Sequence, residues 1–125
     1  MADEGEQSFT YALLPFAGDW LEGGVLAEAQ DLNQPLLGQA ARVTDGSWQA
    51  IATDATLALS ALKPAEDGQG LVLRLYEPAG GSARPDLRLP AGWHHGGAVN
   101  LLEEPGNDAG AMGPFAIRSI KLIRG

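Results

Sequence analysis

Apolar positions along this chain fall in short runs separated by turn-forming residues. The most regular run is residues 71–77 (LVLRLYE), where Leu71, Leu73 and Leu75 alternate with Val72, Arg74 and Tyr76. A period of two places the three leucines on one side of a strand, the side expected to meet the core. Residues 56–63 predict a second strand with Leu57 and Leu59 on one face. Between the two, residues 64–70 (PAEDGQG) predict a turn in which Gly68 and Gly70 take positive φ. Residues 35–43 and 47–53 flank an Asp45-Gly46 turn signal and read as a pair of strands. Residues 83–89, 97–104 and 115–123 complete the set. Turn signals recur about every 8–12 residues, the spacing of an antiparallel sandwich or barrel.

The leading segment is different. Residues 8–16 (SFTYALLPF) carry apolar groups at both parities, so they predict a strand covered on both sides. Residues 25–32 (VLAEAQDL) predict the one helix. Val25, Ala29 and Leu32 form its apolar stripe, Gly24 opens it, Asn33 caps it and Pro35 prevents its continuation.

Charge sharpens this division. The 125 residues carry a net charge of −8. Residues 1–41 hold seven carboxylates and no Lys or Arg, whereas residues 42–125 hold nine carboxylates against eight basic groups. The balance argues against a nucleic-acid or anionic-membrane partner. The acidic third reads first as a solvated surface, and alternatively as one that belongs beside a basic surface of another domain. No apolar run approaches the roughly 20 residues of a membrane span. The acidic start, Met1-Ala2-Asp3-Glu4-Gly5-Glu6, lacks the form of a signal peptide, so a cytoplasmic protein is expected.

Candidate chemistry is sparse. There is no Cys, and the two histidines, His94 and His95, are adjacent. Placed in an exposed loop they make a poor zinc site, which usually wants three or four ligands. No G-x-S-x-G and no phosphate-binding glycine motif occurs. The pairs Glu66-Asp67 and Glu103-Glu104 sit at turns, where consecutive carboxylates are expected to be solvated rather than to act as acid and base. Trp20, Trp48, Trp93 and Tyr76 are core or interface residues by type; of these, Trp48 and Trp93 are retained as candidate sugar-stacking platforms.

Residues 61–77 (ALKPAEDGQGLVLRLYE) strongly resemble the C-terminal segment of the retaining α-mannosidases of glycoside hydrolase family 38. Upstream, Asp3-Glu4-Gly5-Glu6, Phe9 to Pro15, Gly18-Asp19-Trp20 and Leu32-Asn33 with Pro35-Leu36 resemble the same family in the same order. Asn100-Leu101-Leu102-Glu103 and the stretch Gly113 to Ser119 extend the likeness downstream. Gln7 and Phe16 stand where family members usually carry His, and Ala116 where an acidic residue is common.

The resemblance implies an all-β fold: an antiparallel immunoglobulin-like β-sandwich with one short N-terminal helix. Residues 1–34 would be the leading strand and connecting helix that end a preceding large sandwich. Residues 35–125 would be the terminal sandwich. In the family, zinc and the carboxylate nucleophile lie in a separate N-terminal domain, so no catalytic or metal-binding residue and no cofactor is expected here. The implied function is non-catalytic support of the neighbouring domains of a parent glycosidase. Phe9, Tyr11, Leu13, Phe16 and Trp20 are the expected docking or self-association residues, and residues 8–16 the expected contact of a homodimer. The alternative is a freestanding carbohydrate-binding or protein-interaction module.

Overall fold

A computed structural model of the chain describes residues 5–34, 57–107 and 110–125. It divides into two compact units, Met1–Arg42 and Val43–Gly125. The strands predicted over 35–43 and 47–53 lie outside the described residues.

Among the described residues, the second unit holds one antiparallel sheet. Its strands are β1 (Ala58–Pro64), β2 (Leu71–Tyr76), β3 (Trp93–Val99) and β4 (Ile117–Arg124), in the order β1-β2-β4-β3. In the central pair, Leu73 lies opposite Ile120 and Leu71 opposite Leu122. Directly opposed residues share a face, so Leu71 and Leu73 line up with apolar residues of β4, while Leu75 lies opposite Arg118. Leu73, Leu75, Ile120 and Leu122 form the core with Leu57, Ala83 and Met112. The face expected from the alternation is therefore the buried one. Val72, on the other face, is also buried, because Lys63 and Lys121 flank it in register. Aliphatic stems of such lysines cover apolar surface while their charged ends stay in water.

The β1–β2 turn behaves as predicted. Ala65 N–H donates to Gly70 O at 3.1 Å, Gly68 N–H donates to Ala65 O at 2.9 Å, and Gly68 and Gly70 take φ of 72° and 96°. A Cβ on Gly70 would run into the carbonyl oxygen of Leu122, so this turn packs backbone to backbone on β4.

Some expectations for this unit need correction. Residues 83–89 are not a strand; only Ala83 bridges, to Met112. Pro85 removes a backbone donor and Pro90 closes the segment, so no ladder propagates. The strand expected over 97–104 lies earlier, at Trp93–Val99, and ends where Asn100 turns the chain. His94 and His95 are thus on β3 rather than in a loop, although both are exposed. Gly97, with φ 102°, sits in the register shift between His95 and Ala98 that bends this edge strand. The final strand matches its expectation closely.

The first unit contains α1 (Val25–Asn33). Asp19 Oδ1 accepts from the N–H groups of Leu21 and Glu22, both at 2.9 Å, and fixes the turn that precedes it. Gly24, φ 66°, starts the helix, as its permissive backbone allows. Asn33 is the last helical residue, its Nδ2 donating to Ala29 O at 2.7 Å, and the cap falls on Gln34. Residues 8–16 form no strand, because no described strand of the chain pairs with them.

Candidate docking surface

None of the described residues 5–34 is buried. Phe9, Tyr11 and Leu13 are 80%, 78% and 91% exposed. The Phe9 and Tyr11 rings stand 6.3 Å apart, tilted by 33°. Phe16 lies over Gly23, where a Cβ would meet its ring at 2.5 Å, yet it remains half exposed. Ala12, Leu13 and Leu14 form one wall of an open groove of about 420 Å³; Val25, Ala29 and Leu32 of α1 form the other, with Glu28 and Asp31 on the rim. The apolar stripe of the helix therefore opens into this groove instead of a core.

The second unit displays apolar groups from two loops held by carboxylates. Glu77, only 1% exposed, follows β2. Its carboxylate accepts from Ala79 N–H at 2.9 Å, Gly80 N–H at 2.8 Å and Phe115 N–H at 3.0 Å. Burial alone would push its pKa up; backbone donors from Phe115, Gly81, Ala79 and Gly80 outweigh that and hold it below the usual 4.5. Phe115 has φ 55° and is largely exposed, an unusual conformation for a bulky residue. Glu77 thus ties the turn after β2 to the approach to β4.

The other loop follows β3. Lys63 Nζ lies 2.7 Å from Glu103 Oε1 and 2.6 Å from Glu66 Oε1. Glu103 Oε2 accepts from Glu66 N–H at 2.8 Å. Glu103 and then Glu66 raise the Lys63 pKa; Lys63 and then the Glu66 N–H lower that of Glu103. Nearby, Lys121 pairs with Asp67 and lowers its pKa, with help from the Gln69 N–H.

These placements sort the expected site residues. Phe9, Tyr11, Leu13, Phe16 and Trp20 all present apolar surface from the first unit. Trp93 is partly buried against the core, and Trp48 lies outside the described residues. Glu103 corrects the view of solvated acidic pairs: its side chain is mostly covered and bound to Lys63. Glu77 was not singled out by the sequence. Its signal is the adjoining Pro78-Ala79-Gly80-Gly81 turn, which supplies backbone donors, but the Phe115 donor is 38 positions away. Among the described residues, no three His, Cys, Asp or Glu groups gather as a metal site. No helix among them is long and apolar enough to cross a membrane.

Comparison with known proteins gives a consistent picture. Residues 56–120 match the family described as the glycosyl hydrolases family 38 C-terminal beta sandwich domain. The chain is 36% identical to alpha-mannosidase 2C1 of Homo sapiens over 139 aligned positions and 41% identical to that of Mus musculus. Each alignment covers 98% of this chain but 13% of the relative. No solved structure matches it.

Proposed function

Because the chain belongs to the glycosyl hydrolases family 38 C-terminal beta sandwich domain family, we propose that it is the non-catalytic closing domain of an α-mannosidase-like hydrolase. Its role is to brace the domains it adjoins. The observation that carries this reading is the first unit, which has an amphipathic helix and an aromatic-rich segment but no buried residue among those described. A helix of nine residues is marginal in water without tertiary packing. The exposed groups Phe9, Tyr11 and Leu13 suit a strand completed by a neighbouring sheet.

The zinc of such an enzyme belongs, on this reading, to the rest of the polypeptide. The described residues offer no donor set for it: His94 and His95 are neighbours on β3 and point to opposite faces. A cytoplasmic setting and the absence of nucleic-acid partners complete the proposal. In isolation, residues 8–16 pair with a second copy, and the contact tightens with salt as the acidic start of the chain is screened.

The test mixes this chain with human alpha-mannosidase 2C1 from which the matching region has been deleted. A one-to-one complex on sedimentation is expected, weakened by Leu13→Asp. Failure to associate, with both partners folded by circular dichroism, refutes the reading. Sedimentation of the chain alone at low and high salt tests the homodimer. A monomer at both salts refutes that part.

A further inference from the structure

The loop after β3 is held more firmly than its exposed position requires. Asn100 closes it. Its N–H donates to Glu104 O at 2.9 Å, and its Oδ1 accepts from Leu102 N–H at 2.8 Å and Glu104 N–H at 3.0 Å. Its Nδ2 donates to Glu104 Oε2 at 2.9 Å, and Glu103 N–H donates to Asn100 O at 3.1 Å. Glu103 takes φ 65°, one of two non-glycine residues in the left-handed region among those described. Its carboxylate anchors the loop on Lys63 and on the Glu66 N–H. At the tip, Leu101 and Leu102 are 72% and 78% exposed.

The side chains of Asn100, Glu103 and Glu104 are therefore used at the base of this loop, while its leucines face outward. Backbone strain persists where the surrounding structure over-determines it, and it clusters at functional positions. A loop ordered before contact also spares the entropy of ordering it on binding. Both arguments apply to the segment that presents the two leucines.

We propose that Leu101 and Leu102 form a preformed docking tip that seats in an apolar pocket on the remainder of the α-mannosidase-like polypeptide. The inference rests on the function proposed above and adds a second contact, carried by the sheet-bearing unit. Two observations select this occupant. The matching region is 13% of the length of the relatives, so most of the surface the tip could meet lies outside it. The carboxylates beside the tip are turned to its base, Glu103 paired with Lys63 and Glu104 hydrogen-bonded to Asn100, which leaves the two leucines as the outermost groups.

The chain has no Cys, so a single thiol can report on each contact. Leu102→Cys and, separately, Leu13→Cys are alkylated with iodoacetamide and followed by mass spectrometry. Each is measured alone and with the deleted human relative as probe. A covered thiol reacts slowly, so the partner should slow the Leu102→Cys variant by about tenfold or more. Slowing at Leu13→Cys but not at Leu102→Cys overturns this inference and leaves the proposed function standing. Slowing at neither overturns both. Slowing of Leu102→Cys that appears with rising concentration of the chain alone assigns the tip to a second copy and overturns the proposal. A deleted relative that does not fold is replaced by the human enzyme with this whole chain spliced in for the matching region. The same comparison with the isolated chain then applies.

Discussion

Leu73→Ala is the sharpest probe of the core. Leu73 is 0% exposed, lies between Leu62 of β1 and Ile120 of β4, and belongs to the same cluster as Leu57 and Met112. Removing its branched end forfeits transfer free energy and leaves a cavity the central strands cannot easily close, about 2–5 kcal/mol in all. A unit of about 80 residues is stable by only about 4–12 kcal/mol. At about 4–8 °C per kcal/mol for this size, the melting temperature should fall by about 8–40 °C. Leu62 shares the face of Leu73 by register but sits on the edge strand and is 39% exposed, so Leu62→Ala should cost about 1 kcal/mol. Leu73→Asp places an unpaired charge in the core, a cost of several kcal/mol that rivals the whole stability, and should unfold the unit. Circular dichroism melts with urea titrations on all three variants test the reasoning. Equal losses for Leu62→Ala and Leu73→Ala would show that β2 does not bury the face assigned to it.

Gly68→Ala should cost about 1 kcal/mol, since its φ of 72° is strained for an L residue but its surroundings are open. Gly70→Ala adds a clash with the Leu122 carbonyl and should cost about 3 kcal/mol or more; equal urea midpoints for the two would refute the close approach. The folded pKa of Glu77 is depressed, so its contribution is present in full above 4.5 and disappears as pH falls through the folded value. Glu77→Gln should therefore be less stable than wild type at neutral pH, and the gap should narrow on acidification; a gap constant from pH 7 to 3 contradicts it. The isolated chain should hydrolyse no aryl α-mannoside and retain no stoichiometric zinc after dialysis, and turnover or one bound zinc by metal analysis would refute the non-catalytic reading.

Local signals were legible where local rules decide the outcome. The alternation in β2, the positive φ of Gly68 and the stripe of α1 follow from side-chain period and glycine chemistry. Residues 83–89 misled because alternating Leu87 and Leu89 suggest a strand, while Pro85 denies the ladder a donor. β3 was displaced because His94, His95, Gly96 and Gly97 have little strand character; its pairing with β4 decides its position. The carboxylate anchors were illegible for a different reason. Glu103 meets Lys63 across 40 residues and Glu77 meets Phe115 across 38, and only the folded sheet brings them together. The exposed residues Phe9, Tyr11 and Leu13 were legible as an apolar run without a polar side, although their strand geometry is absent here.

The strand order β1-β2-β4-β3 also governs how the sheet is assembled in time. β4 is the last of the four strands to be synthesised, yet it occupies an interior place and joins β2 to β3. Until it emerges from the ribosome, the β1–β2 hairpin shows the bare edge of β2, and β3 has no sheet to join. Three of the seven core residues pair across this seam, Leu73 with Ile120, and Leu122 with the partly buried Leu71. Closing it must bring together segments about 45 residues apart, a non-local step of the kind that slows β-rich domains. A nascent chain halted before Ile117 would thus hold an aggregation-prone edge in waiting, and its escape depends on how soon the final strand slides between the other two.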